Sequence, residues 1–426
     1  MFKQLLSKSE FTKNTFILVI GTVIAQSIPL LLHPFLRRIY SPEDFGAMAV
    51  YLNIFGMLTI VSALRYEATI VLPKNNNEAA NILSLTFIIT LIFSTLLLLV
   101  LILFKDQIVS LINFPPQYSN YLYFLPFGCA AFSIYQSMNY WLIRHKAFKA
   151  STNNKIIRRA VEGSVQSILG LLKFPGGLFV GDVAGNMANV VAGTRQVFRN
   201  TYSTSIVTPR KIRFVLKKYI DYPKYNVLPT LLSSAATVLP FLFINKFYST
   251  EVVGYLDLSR LVLSIPLIFI SSTISQVFFQ QTTEKKHQLA SIKKDIRNIF
   301  YLLMAVVTLE IVTILFIGPW LFGFVFGGTY TISGQFSQIL VFSFALNFIG
   351  SSFSSIFITF EKIRLNSVWQ ITYFCAICSL LLFKNLTIQD FLKVYVAIEV
   401  VMHSIYCGMM YFIVNRYEQS VKLKNR

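Results

Sequence analysis

The chain has 426 residues, of which 55% are hydrophobic, 15% aromatic and only 13% charged. Soluble domains carry about 25% charged residues, so roughly half of what a water-facing surface requires is present, and a soluble globular protein is excluded. The net charge of +20 would suit a polyanion, but the placement of the charges argues against nucleic acid as its cause.

Apolar runs of about 20 residues, the length that crosses a bilayer as a helix, recur along the whole sequence. In chain order they predict spans near 14–36, 46–64, 80–104, 118–143, 156–173, 175–194, 226–246, 255–280, 297–317, 334–360, 367–384 and 391–414. Between the first two lies Arg37-Arg38-Ile39-Tyr40-Ser41-Pro42-Glu43-Asp44-Phe45-Gly46. Ser41 suits a helix cap, Pro42 the first helical position, and Glu43 and Asp44 the positive end of a helix. After the seventh span, Tyr248-Ser249-Thr250-Glu251-Val252-Val253-Gly254 repeats Tyr, Ser, Glu and Gly at the same offsets. The longest basic connection follows the sixth span. The chain therefore reads as a duplication: an N-terminal six-helix bundle (1–200), a basic cytoplasmic linker (201–225) and a C-terminal six-helix bundle (226–426). The expected fold class is an all-α polytopic membrane protein of about twelve transmembrane helices, in two six-helix bundles around a central cavity.

With these spans, about 30 of the 38 Lys and Arg residues fall on one side of the membrane, which is the positive-inside pattern and predicts both termini in the cytoplasm. That group includes Arg65, Lys155, Arg158 and Arg159, while Arg37, Arg38, Lys105, Lys173, Lys246 and Lys384 lie on the other side. The charge reports topology. The four cysteines sit in apolar segments, and the Cys375–Cys378 pair has neither histidine nor carboxylate company, so packing is the expected role.

Several spans carry polar residues at helical spacing. The first has Gln26, Pro29 and His33; the fifth Arg159, Glu162, Gln166, Gly170 and Lys173; the sixth Asp182, Gly185, Asn186, Asn189 and Gly193; the eighth Asp257, Arg260, Ser264 and Ser271. One ionisable group at a helix centre costs about 2.5–3.5 kcal/mol on insertion scales, so these stripes are expected to face one another or a water-filled chamber. The serines and glycines also suit close helix packing. Glu399 and His403, at i and i+4, read as a satisfied buried pair, and Glu310 stands alone on an apolar helix. No P-loop, dinucleotide fingerprint, metal-ligand spacing or nucleophile with a base is found. Catalysis is not expected, nor is a cofactor or a metal.

The stretch Arg38–Gly46 resembles the polysaccharide transporter family, the Wzx-type lipid-linked oligosaccharide flippases. Leu64-Arg65-Tyr66-Glu67-Ala68-Thr69-Ile70-Val71-Leu72-Pro73 is similar to that family's end of the second helix, as is the glycine-spaced 177–193 segment. The resemblance implies a multi-pass protein of the cytoplasmic (inner) membrane that works by alternating access. Its cargo would be an undecaprenyl-diphosphate-linked oligosaccharide bound for O-antigen, capsule or another surface glycan. Further implied partners are a coupling ion (proton or sodium), membrane lipid, and a polysaccharide polymerase and chain-length regulator. Substrate-binding candidates are Arg260, favoured for the diphosphate, then Arg159 and Lys173. Asp257, Glu162 and Asp182 follow for sugar or coupling-ion contacts, with Asn186, Gln26 and Arg65. A multidrug exporter of the same superfamily and a non-transporting scaffold of a polysaccharide assembly complex are the alternatives.

Overall fold

The computed structural model of the chain describes residues 10–199 and 206–424. It is helical throughout, and its helices in chain order are α1 (Glu10–Ile39), α2 (Pro42–Ser62), α3 (Asn76–Ile112), α4 (Phe124–Arg144), α5 (Phe148–Leu171), α6 (Gly177–Arg199), α7 (Pro209–Lys218), α8 (Asp221–Phe247), α9 (Thr250–Gln288), α10 (Lys293–Phe326), α11 (Thr331–Phe353), the short α12 (Ser355–Thr359), α13 (Ile363–Cys378) and α14 (Ile388–Lys424). Each of the twelve expected spans falls on a long helix, the fourth beginning in a 3-10 turn at Pro116–Tyr123, the tenth running on through α12 and the eleventh through a 3-10 turn at Ser379–Phe383. The protein is an all-α polytopic membrane protein.

Two differences from the sequence reading matter. The fifth helix starts at Phe148 rather than near 156, because Asn153, Asn154 and Lys155 depress local hydropathy while the helix continues through them. The expected linker also contains a helix. Thr208 caps α7 through its side chain, and Val215 is buried in a cluster with Tyr66, Ile82, Leu83 and Trp141. Lys218 and the Tyr219 hydroxyl both donate to Glu78 on α3 (2.5 and 2.9 Å), and the Tyr66 hydroxyl donates to the Leu216 carbonyl at 2.8 Å. This basic segment is docked rather than loose; its residues 201–205 lie outside the described residues, as do both termini.

The chain divides into two units, residues 1–234 and 235–426. In the first, α5 packs on both α1 and α6, and α4 packs on α3 and α6. In the second, α11 is central and packs on α9, α10 and α14 around Leu267, Phe278, Leu303, Phe348, Phe353 and Met410.

The repeated motif starts the second helix of each half. Ser41 and Asp44 form a reciprocal capping box, with Asp44 N donating to Ser41 Oγ (3.1 Å) and Ser41 N to Asp44 Oδ2 (2.8 Å). Ser249 caps α9 from one side only, accepting from Val252 N at 3.2 Å. The preceding tyrosines tie each corner to a distant helix or turn. Tyr40 donates to the Gln166 carbonyl of α5 (2.8 Å), and Tyr248 to the Leu386 carbonyl just before α14 (2.9 Å). Tyr118 donates to Asp44 Oδ1 at 2.5 Å, and the Arg37 guanidinium lies 3.6 Å over the Phe45 ring. The second motif is also a brace. Leu64 and Arg65 take consecutive left-handed conformations that end α2, and Arg144 of α4 donates to the Pro73 carbonyl at 2.5 Å.

Candidate functional site

The α5 sequence places Lys155, Arg159, Glu162 and Gln166 three or four residues apart, on one face of a helix. That face meets α6 at a very close crossing. A Cβ on Gly185 would lie 2.9 Å from the Arg158 carbonyl oxygen and 2.9 Å from Glu162 Cβ; one on Gly181 would lie 2.3 Å from Gln166 Cγ. Glycine at these two positions lets the backbones touch, so short α6 side chains reach the long ones of α5.

The crossing carries an ion-pair network. Arg159 Nη1 donates to Glu162 Oε2 at 2.8 Å, and Arg158 Nη2 lies 3.5 Å from Asp182 Oδ1. Asp182 is 1% exposed, and its other oxygen accepts from Asn186 Nδ2 at 3.2 Å. Gln166 donates to the Leu178 carbonyl at 3.2 Å, and Asn154 and Gln196 exchange hydrogen bonds at 2.7 and 2.9 Å. The Arg158 guanidinium also sits 5.6 Å from the Phe132 ring centroid on α4.

Beside the network is a cavity of about 180 Å³, walled by Gln26 of α1, by Phe132, Tyr135, Gln136 and Asn139 of α4, by Lys155, Arg158 and Arg159 of α5, and by Asn189 of α6. Three cations line it and no carboxylate does; Glu162 and Asp182 stand behind the two arginines and hold them. Asn189 Oδ1 is buried with no hydrogen-bond partner among the described residues, a position in which an acceptor calls for water or a ligand. Of the helices around the cavity, α4, α5 and α6 are less apolar along their length than α2 and α3 of the same unit. Polarity in this unit is concentrated on α4, α5 and α6.

Of the expected site residues, the structure brings Gln26 and Arg159 to the cavity wall and Glu162, Asp182 and Asn186 into the network behind it. Arg65 lies instead in the turn after α2, 3.7 Å from Glu67, and Lys173 is exposed in the left-handed turn after α5. Asp257 and Arg260 belong to the C-terminal unit, where the Arg260 guanidinium sits 4.9 Å from the Phe241 ring centroid. In that unit the Glu399–His403 pair is buried: His403 Nδ1 is 3.3 Å from Glu399 Oε2, and Tyr373 donates to Glu399 at 2.5 Å. Glu310 Oε2 is buried without a partner among the described residues. Lys155 lies just before the expected fifth span (156–173) and Arg158 inside it, but neither is among the expected site residues, because a basic run there already reads as charge on the cytoplasmic side. The four-residue step from Lys155 to Arg159 is the signal that carries the polar face back to Lys155.

These features define an all-α polytopic membrane protein with a polar, cation-lined cavity in its N-terminal unit. The chain belongs to the family of polysaccharide biosynthesis proteins, which it matches over residues 35–334. Its fold is similar to that of an inward-facing multidrug resistance MATE transporter of the MOP superfamily (12% identity, 93% of this chain and 99% of that chain, TM-score 0.71). It is also similar to a MOP superfamily transporter from Pyrococcus furiosus, described as having a binding pocket of reversed polarity that suggests a different function (14% identity, 95% and 96% coverage, TM-score 0.63). A Vibrio cholerae MATE transporter is a third similar structure (12% identity, 96% of both chains, TM-score 0.58). None of the curated proteins matches this sequence.

Proposed function

We propose that the protein is a flippase. It carries undecaprenyl-diphosphate-linked oligosaccharide repeat units across the cytoplasmic membrane by alternating access, for assembly of a surface polysaccharide such as O-antigen or capsule. The observation that carries this reading is the cavity wall of the N-terminal unit, with three cations and no carboxylate among membrane-spanning helices, in a chain of the polysaccharide biosynthesis family. A sugar diphosphate cannot cross hydrocarbon without partners for its charges. Arg158 and Arg159 would take the diphosphate, for which the planar guanidinium is well matched, with Lys155 as a further charge. Gln26, Gln136, Asn139 and Asn189 would meet sugar hydroxyls. Arg260 is a second diphosphate candidate in the other unit, and Arg65, Lys173 and Asp257 are left to roles outside this cavity. A proton or sodium gradient would drive the cycle, no bond of the cargo would be made or broken, and polymerase and chain-length regulator would act downstream.

The test is transbilayer movement of a fluorescent undecaprenyl-diphosphate oligosaccharide in proteoliposomes under an imposed ion gradient. Losing the charge-assisted bonds of Arg159 removes about 1.5–3 kcal/mol, so Arg159→Gln is expected to slow movement by about ten-fold or more. No movement above empty vesicles by the correctly inserted wild type would overturn the reading. Export of a cationic drug, indifferent to Arg159→Gln, would replace it with the multidrug one.

A further inference from the structure

The C-terminal unit carries a groove of about 900 Å³ between the start of α13 and the last turns of α14. Along most of its length the lining is apolar and outward-facing: Ile363, Val368 and Phe412 are 59%, 59% and 64% exposed. Where α13 begins, the same groove is lined by Lys362, Arg364 and Arg416. Its back wall is fixed, because the Phe360 ring packs on Tyr417 at 4.9 Å and the Tyr417 hydroxyl donates to the Ala290 carbonyl at 2.8 Å.

The cations are not balanced from within. Glu361, the one carboxylate of the lining, accepts from Lys286 at 2.9 Å, and that bond holds its carboxyl below the ordinary value. Lys286, outside the groove lining, adds a further cation against this single carboxylate. Arg364 and Arg416 make no ion pair among the described residues. No side chain caps α13, so its first N–H groups and the positive end of its dipole add to the same pole. A groove that is apolar along its length and cationic at one end fits an amphiphile with an anionic head. A single phosphodiester would leave most of three cations and a helix terminus unanswered, whereas a diphosphate monoester carries two or more negative charges on adjacent phosphates.

We propose that this groove binds a membrane lipid with a diphosphate head, the head among Lys362, Arg364 and Arg416 and the chain along Val368 and Phe412. It rests on the proposed function only for the polyprenyl identity of the chain. The groove is then a docking station for the lipid anchor, built from residues distinct from those around Arg159.

The test is native mass spectrometry of the purified full-length protein in detergent, with undecaprenyl diphosphate and dioleoylphosphatidylglycerol as probes. The wild type is expected to retain undecaprenyl diphosphate about ten-fold better than the phosphatidylglycerol. Arg364→Gln with Arg416→Gln should lower that retention about ten-fold, while Arg364→Lys with Arg416→Lys keeps most of it. Equal retention of both lipids would overturn the proposal by marking a general anionic-lipid surface. Unchanged retention by the glutamine variant, or retention lost in Arg159→Gln instead, would overturn it by placing the lipid elsewhere. Groove-dependent retention in a protein that moves no oligosaccharide would sink the flippase reading and leave the groove standing.

Discussion

Arg158 and Asp182 are unequal partners. Asp182 is 1% exposed, whereas the Arg158 side chain keeps 18% of its surface open to the cavity. Breaking a buried ion pair from one side costs about 3–5 kcal/mol, mostly for the charge left behind. Arg158→Gln strands the more buried group, so it should destabilise more than Asp182→Asn, with the two together costing less than their sum. Thermal unfolding in detergent across the four proteins of this cycle measures it, and strict additivity would show that the pair contributes nothing. The sequence foretold the acid and not the base. Asp182 lies in an apolar stretch where a carboxylate stands out, whereas Arg158 sits in a run of basic residues that the positive-inside pattern already explained. Arg65 and Lys173 failed to reach the cavity for a related reason. Spacing places a residue on a helical face, but both fall in the left-handed turns that end α2 and α5, where that periodicity no longer applies.

At the scale of elements, hydropathy found every long helix because a bilayer demands an apolar length that hardly varies. It missed α7, whose ten residues include five Lys and Arg. That helix is held by burying Val215 and by bonds from Tyr66 to the Leu216 carbonyl and from Lys218 and Tyr219 to Glu78, tertiary facts without a sequence signature. The motifs that carry the family resemblance turn out to brace helix corners, through the Ser41–Asp44 box, the Tyr40 and Tyr118 bonds and the Arg144 clamp. The glycines of α6 serve the α5–α6 crossing. Gly185→Ala puts a methyl 2.9 Å from the Arg158 carbonyl, and backbone cannot give way as a flexible side chain can. A destabilisation of about 1–3 kcal/mol is expected, read as a lowered unfolding temperature. An unchanged temperature would mean that the helices are not in this contact.

For the molecule as a whole, the basic residues predict an orientation that can be measured. Lys217 on α7 and Lys384 before α14 are both exposed, and the charge asymmetry predicts that they face opposite sides of the membrane. With the four native cysteines replaced by serine, Lys217→Cys should react with an impermeant maleimide only in inside-out vesicles, and Lys384→Cys only in intact spheroplasts. The reverse pattern would invert the topology and with it the direction of the proposed transport.

The close seam between α5 and α6 also bears on how the protein reaches the membrane. Both helices are less apolar than α2 and α3, and α5 alone brings Lys155, Arg158, Arg159 and Glu162. At about 2.5–3.5 kcal/mol for one centrally placed charge, a nascent α5 would be held back at the translocon until Asp182 arrives to meet Arg158. The two should partition as a hairpin, entering lipid together. Glycosylation mapping of α5 alone against α5 joined to α6 tests this. Poor insertion of the single helix, rescued by α6 but not by α6 carrying Asp182→Asn and Gly185→Val, is the expected outcome. Efficient insertion of α5 by itself would show that the seam is formed only after both helices are already in the bilayer.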